Sequence, residues 1–426
     1  MRVAVIGAGW AGCAAAVEAT RLGYQATLFE TTRVAGGRAR RVGGTLQGEP
    51  VVLDNGQHIL IGAYAETLRL MKDLGVDTEA TLLRMPLTLQ FPDGGGLKLP
   101  QLPAPLDALA GILLARDWPL GDKLSMLKLA VGWQLKKFQC APGESVADLC
   151  RGLAPGAMAA LIEPLCVSAL NTPAERASGQ VFLRVMHDAL FSESGGSNLL
   201  LPRTDLSTLL PDAALSWLAA QGNAPQLGAR VQAIAPLGSG WVVSTDASAA
   251  FDCVVLACPP QEAARLVEGS GVAAEDWLAR THGLQHEALT TVYAWASGAR
   301  LPLPMLALPS SAAEPAQFVF DRGQLGGPAG LLAFVISASS GDSATLTAQV
   351  LAQAKSQLWH LGLGGMQAVQ TIVEKRATFA CTPGLLRPGA EVAPGLYACG
   401  DYIAGPYPAT LEGAVRSGLE AARHLH

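Results

Sequence analysis

The chain has 426 residues, with 30 Lys and Arg against 35 Asp and Glu for a net charge of −5. That length suggests roughly two or three domains, and a pI near 5.8 argues against a nucleic-acid partner, which calls for a basic surface. Charged residues are only 15% of the chain, below the ~25% of ordinary soluble proteins, and the mean hydropathy of +0.29 fits a lined apolar tunnel, a membrane-facing patch, or both.

Residues 2–6 form a short β-branched run that predicts a buried parallel strand. Gly7-Ala8-Gly9-Trp10-Ala11-Gly12 then supplies GxGxxG spacing, 14–22 is a small-residue helix, and 26–29 is a second strand ending on Glu30. Each part has a physical task in dinucleotide binding: Gly7 permits the tight turn, Gly9 lets backbone approach a pyrophosphate, and Gly12 lets helix and strand pack closely. The helix N-terminus offers unpaired N–H groups to phosphates, and Glu30 is placed to accept from a ribose. Because strand 1 starts at residue 2, there is no room for a signal peptide.

The segment 34–40, VAGGRAR, follows the acid. Gly36 and Gly37 let backbone pass close to a cofactor, and Arg38 can meet a phosphate with a planar fork of donors. This E-x-x-x-x-x-GGR continuation resembles the FAD-binding amine oxidase and phytoene desaturase superfamily. The resemblance implies an α/β fold: a Rossmann-type FAD domain with a parallel sheet and β-meander, plus a discontinuous α+β substrate domain.

Asp54-Asn55-Gly56-Gln57-His58 is a polar cluster between the apolar runs 51–53 and 59–61. Buried polar groups without partners cost roughly 1–3 kcal/mol each, so this cluster calls for a flavin edge or a polar substrate group; a loop bonding its own backbone is the simpler reading. His58 is the general-acid candidate, since an unperturbed pKa of ~6.5 lets it donate at neutral pH, and Asp54 either orients it or contacts the cofactor. A satisfied structural histidine is the alternative.

Residues 61–200 read as mostly helical. Within them, 106–115 is apolar but too short to span a bilayer, and 122–138 places Leu124, Leu127, Val131, Leu135 and Phe138 at helical spacing beside Lys123, Lys128, Lys136, Lys137, Trp118 and Trp133. That composition suits an interfacial helix at 105–138 and equally a core-facing amphipathic one. No uninterrupted 18-residue apolar run predicts a transmembrane span.

A leucine-rich helix near 206–222 is followed by predicted short strands at 229–234, 240–245 and 252–257, read as a meander and a buried strand; Val231 is expected on the cofactor. Strand-like runs at 289–296 and 331–337 lie in a mixed region. Near the end, Gly400 and Asp401 close a strand, and a helix starting near Thr410 and Leu411 would aim its N-terminal dipole at the flavin pyrimidine edge. The cofactor domain is thus expected from 1–60, 200–265 and 390–426, and the substrate domain from 61–199 and 266–389. Cys13, Cys140, Cys150, Cys166, Cys253, Cys258, Cys381 and Cys399 contain no CxxC pair, which fits reduced cytoplasmic thiols and calls for no metal or disulfide framework.

The runs DNGQHILIGAY at 54–64, EPLCVSALNTP at 163–173, LLPRTDLSTLL at 200–210 and GDYIAGPYPATLEGAVRSGLEAA at 400–422 are similar to bacterial squalene-associated flavoproteins, the hydroxysqualene dehydroxylase family of hopanoid precursor synthesis. The resemblance implies reductive removal of an allylic hydroxyl from a long-chain isoprenoid, hydroxysqualene, to give squalene. Loss of water would leave an allylic cation that hydride from FAD quenches. It also implies an unidentified reductant and a cytoplasmic enzyme at the inner face of the cell membrane. A carotenoid-type desaturase, a flavin-free lipid carrier and an amine oxidase are the rival readings.

Overall fold

The computed structural model describes residues 1–192, 195–363 and 365–425; residues 193, 194, 364 and 426 of the expected segments lie outside it. Arg2–Ile6 occupies the middle of a six-stranded sheet. The order is Gln226–Leu227, Gln25–Glu30, Arg2–Ile6, Cys253–Leu256, Leu396–Ala398 and Glu391–Ala393. All neighbours run parallel except the last pair. A parallel sheet must be covered on both faces, and alternation along the strands shows how. Val3 and Val5 join a cluster with Ala11, Leu206 and Val415 from helices, while Ala4 and Ile6 join one containing Ile234, Trp241 and Phe251 from the meander.

Helix Trp10–Arg21 packs on the first strand at a separation that only glycine allows. A Cβ on Gly12 would fall 1.8 Å from the Gly7 carbonyl oxygen. Helix Leu411–Arg423 lies against the same helix and is tied to its neighbours by the wholly buried Glu412. That carboxylate accepts from Thr67 N at 2.9 Å, Thr67 Oγ1 at 2.7 Å and Glu66 N at 3.1 Å, and it pairs with Arg416 at 2.6 Å.

The meander is real but shifted from expectation. Its strands are Ala233–Leu237, Gly240–Ser244 and Ser248–Phe251. Residues 229–232 lie outside it, and Cys253–Leu256 belongs to the parallel sheet, with Ser248–Phe251 as the third meander strand in its place. Leucine-rich helices Leu206–Leu209 and Pro211–Ala220 stand where expected.

A second, five-stranded antiparallel sheet is ordered Met305–Ala307, Phe318–Asp321, Leu331–Ser337, His286–Trp295 and Gln367–Phe379. One face packs on helix Ser343–Gln357 through Val292, Phe334 and Val350. Between the sheets lie helices that include Glu163–Leu170 and Gly179–His187, and the one-turn π-helices Met158–Ile162 and Asp188–Ser192. Helices Leu106–Leu114 and Leu120–Leu135 ride on the outside. Of the predicted stripe, Phe138 is buried, whereas Leu124, Val131 and Leu135 face outward.

Gly12→Ala should destabilise the protein by on the order of 3 kcal/mol, the upper end of overpacking costs. Thermal unfolding followed by circular dichroism will show a Tm lowered by several degrees; an unchanged Tm would mean that this helix has slack against its strand.

Candidate cofactor and substrate cavity

The two sheets and the helices between them enclose a cavity of about 790 Å³, within the range of cofactor and small-molecule sites. One half is built from the strand ends of the parallel sheet. Gly7, Gly9, Trp10, Ala11, Glu30, Gly36, Gly37, Arg38, Asn55, Gly56, Gln57, His58, Val231, Gly400, Asp401, Thr410 and Leu411 all line it. Ala8, Gly12 and Asp54 stand behind the wall.

Helix Trp10–Arg21 begins at Gly9 with no side-chain cap, so its first N–H groups are left for an anion. A Cβ on Gly9 would meet nothing nearer than the Gly37 Cα at 3.9 Å, which leaves space a phosphate can fill. Glu30 accepts from Ala8 N at 2.8 Å, from Thr32 N at 2.9 Å and from Thr32 Oγ1 at 3.0 Å, yet a carboxylate has about four acceptor sites and capacity remains for a ribose hydroxyl. The helix after Thr410 differs: the Thr410 hydroxyl caps Gly413 N at 3.0 Å, leaving the N–H groups of the first two helical residues without that cap.

Arg38 is already engaged by protein groups. Its Nη2 meets Asp401 Oδ1 at 2.5 Å and its Nη1 donates to the Ala377 carbonyl at 2.6 Å. The guanidinium predicted to meet a phosphate is engaged by the acid predicted to hold hydroxyls, and the two neutralise each other beside the cavity. Asn55 Nδ2 donates to the Arg38 carbonyl at 2.8 Å and to Glu374 at 3.1 Å, fixing the turn that carries Gly56 at φ +88°.

Asp54 is likewise held by protein groups. Its Oδ1 accepts from Leu206 N at 2.9 Å, its Oδ2 faces Arg322 at 3.8 Å, and its backbone bonds the Tyr293 hydroxyl at 3.0 and 3.1 Å. Asp54 therefore joins two distant segments through its carboxylate and a third through its backbone, with no hydrogen bond to His58 among them. Burial pushes its pKa up to about 6, against the Leu206 hydrogen bond and the Arg322 charge.

His58 lines the cavity with Nδ1 3.2 Å from the Gly56 carbonyl. Burial is the main cause of a pKa lowered to about 4, and the Arg38 charge acts in the same direction. The imidazole is therefore neutral at pH 7, donating from Nδ1–H and presenting Nε2 as an acceptor. Burial thus works against the protonated form that a general acid needs, and it outweighs the Gly56 contact.

The other half of the cavity is apolar, lined by Leu87, Leu89, Leu165, Met186, Phe320 and Val335 among others. No single local pattern marks these residues, since they come from two hairpin positions, two helices and the second sheet. Tyr402 and Tyr407 also line it; both sit inside the GDYIAGPYPAT run, where sequence reading counts Tyr402 with the Gly400–Asp401 cofactor contact and gives Tyr407 no role. The LNTP run has a structural task. Asn171, left-handed at φ 45°, ends helix Glu163–Leu170, accepts from Ala338 N at 2.8 Å and donates to Thr378 at 3.0 Å.

A glycine-turned, uncapped helix beside an acid-ended strand and an apolar annex define a dinucleotide-dependent enzyme with a lipophilic substrate space. The chain matches the flavin containing amine oxidoreductase family over residues 10–426 and belongs to it. Its cofactor is FAD, which the open cradle at Gly9, the uncapped N-terminus and Glu30 fit. It is 28% identical to hydroxysqualene dehydroxylase of Rhodopseudomonas palustris, over 99% of this chain and 97% of that one. For the Zymomonas mobilis enzyme of the same name the identity is 26% over 98% and 97%. A zeta-carotene desaturase of Zea mays is 32% identical over only 29% of this chain and 22% of its own. Among solved structures, an oxidoreductase from Methanosarcina mazei superposes with a TM-score of 0.74 at 17% identity, covering 99% of this chain and all of that one. Reduced UDP-galactopyranose mutase gives a TM-score of 0.70 at 16% identity, covering 99% and 93%; both establish the fold.

The His58 shift has a defined pH signature. Its folded pKa of about 4 lies below the ordinary 6.5, so between those values the unfolded chain holds the extra proton and stability falls as pH falls. His58→Gln should therefore lose less Tm between pH 7 and pH 5 than the parent. Equal losses in both proteins would show that His58 takes up its proton in the folded state.

Proposed function

We propose that this protein removes the allylic hydroxyl of hydroxysqualene to give squalene, supplying hopanoid or triterpenoid precursors. The similarity to hydroxysqualene dehydroxylases along nearly the full length carries this reading, and the apolar half of the cavity supports it. In its reduced form FAD supplies the hydride. R–OH and FADH₂ would together give R–H, water and FAD: the carbon–oxygen bond breaks, the allylic carbon gains the hydride, and the hydroxyl leaves as water with the proton that reduced flavin also gives up on oxidation. An allylic cation survives only where nucleophiles are kept away, and Leu87, Leu89, Leu165 and Phe320 exclude water from that space.

The chain's segments 1–60, 200–265 and 390–426 hold the cofactor, and 61–199 and 266–389 hold the substrate. We assign Gly7, Ala8, Gly9, Trp10, Ala11 and Gly12 to the pyrophosphate turn and Glu30 to ribose. Gly36, Gly37, Arg38, Asn55, Gly56, Gln57, Val231, Gly400, Asp401, Thr410 and Leu411 form the rest of the cofactor wall. His58 holds the substrate hydroxyl through Nε2, because a pKa of about 4 leaves only about one molecule in a thousand protonated at pH 7. The enzyme draws on an unidentified reductant and works in the cytoplasm at the inner face of the cell membrane. The partial likeness to a carotene desaturase supports a second reading, in which hydride passes to the flavin instead.

Glu30→Ala removes the ribose acceptor, so it should purify with far less flavin while keeping its far-ultraviolet circular dichroism. Full flavin occupancy would take Glu30 off the ribose. Chemically reduced enzyme mixed anaerobically with hydroxysqualene should reoxidise its flavin in step with squalene formation. Squalene without flavin oxidation would end the hydride-transfer reading, and oxidation of phytoene by the oxidised enzyme would favour desaturation. In the same single-turnover assay His58→Ala should slow the reaction by about tenfold, short of the 10²–10⁴-fold typical of a lost proton donor.

A further inference from the structure

Nine of the seventeen large apolar side chains exposed among the described residues fall between positions 102 and 135. Leu114 and Leu120 are each 69% exposed and Leu135 is 79% exposed, with Leu106, Leu113 and Leu124 on the same two helices. Isolated exposed leucines are ordinary, but such a concentration marks an interaction site. The helices are of 9 and 16 residues, and no helix among the described residues is long and apolar enough to cross a membrane.

The charge around this face is opposite to that of the whole. Residues 102–138 carry Arg116, Lys123, Lys128, Lys136 and Lys137 against Asp107, Asp117 and Asp122, in a chain of net charge −5, and Asp107 is buried. Leucines that reach outward amid lysines match an interface whose interior is hydrocarbon and whose surface is anionic.

The face also adjoins the cavity. Helix Leu106–Leu114 packs on strand Gly96–Lys98, whose hairpin partner Thr88–Gln90 carries cavity-lining Leu89. At the far end, Lys137 and Phe138 line a second cavity of about 750 Å³. That cavity shares Val185, Asp188 and Tyr407 with the wall of the first.

We propose that helices Leu106–Leu114 and Leu120–Leu135 seat the enzyme on an anionic lipid leaflet, with the second cavity as the port through which the isoprenoid passes from bilayer to active site. The port rests on the substrate reading above; the seat itself does not. Asp188 and Tyr407 stand where the two cavities meet, a polar point that a hydroxyl can pass while its hydrocarbon follows.

Flotation of the FAD-loaded, full-length enzyme with phosphatidylcholine vesicles, with and without phosphatidylglycerol, tests the seat. The parent should float with the anionic vesicles and partly dissociate at high salt. Combined Leu114→Ser, Leu120→Ser and Leu135→Ser should cut partitioning at least about tenfold on either vesicle, and Lys128→Glu with Lys136→Glu should weaken only the anionic case. Both variants should still turn over detergent-dispersed hydroxysqualene at the parental rate while slowing on vesicle-borne substrate. Unaltered flotation of the serine variant would overturn the seat. So would a concentration-dependent dimer that the serine variant abolishes while the parent ignores vesicles, since the face would then join two copies of this chain. Parental failure on detergent-dispersed substrate would instead count against the substrate reading, whatever the vesicles show.

Discussion

The close approach of helix Trp10–Arg21 to the end of the first strand is the contact from which the remainder of the molecule is positioned. Gly12 permits it by lying against the Gly7 carbonyl, where any side chain would collide. The approach aims an uncapped helix N-terminus at the cavity and brings the acid-ended strand beside it. Helix Leu411–Arg423 then packs on the far side, so the last helix of the chain depends on the first.

Around that contact the buried charges are kept in pairs. Arg38 is matched by Asp401, Glu412 by Arg416 and two backbone donors, and Asp54 by Arg322 and the Leu206 amide. Breaking such a pair leaves an uncompensated buried charge, which costs far more than the pair contributes. The arrangement is therefore better understood as fixing register between distant segments than as a store of stability. The other half of the cavity stands apart from these pairs, walled by leucine, methionine, phenylalanine and valine side chains. Apolar walls suit an electron-poor intermediate because alkyl and phenyl groups are poor nucleophiles.

The outer helices obey a different logic. Their inner residues Met126 and Trp133 are buried, which holds the pair to the body, while leucines remain on the outside beside lysines. Water alone would not favour that surface, since burial of apolar area is the main driving force for folding. A low net charge content with a locally basic apolar face is coherent for an enzyme whose substrate dissolves in lipid.

Local sequence determined the strand–glycine–helix–strand unit, the acid at its end, the GGR turn and the C-terminal helix, because each is written in contiguous residues whose spacing equals the geometry they make. It also marked the polar run from Asp54 to His58 as one that needs partners. What it could not determine is where those partners come from. Arg38 meets Asp401 from 363 residues away, Asp54 meets Leu206 and Arg322, and the charge of His58 follows from burial created by the whole fold. The same holds for the 105–138 segment: helical spacing is identical for a stripe turned inward and one turned outward, and only packing against the hairpin and its neighbours decided that Leu124, Val131 and Leu135 face out. Short-range pattern fixes backbone conformation through local sterics and hydrogen bonding, whereas protonation state, ion pairing and the direction of an apolar face are set by atoms brought near only when the chain has closed.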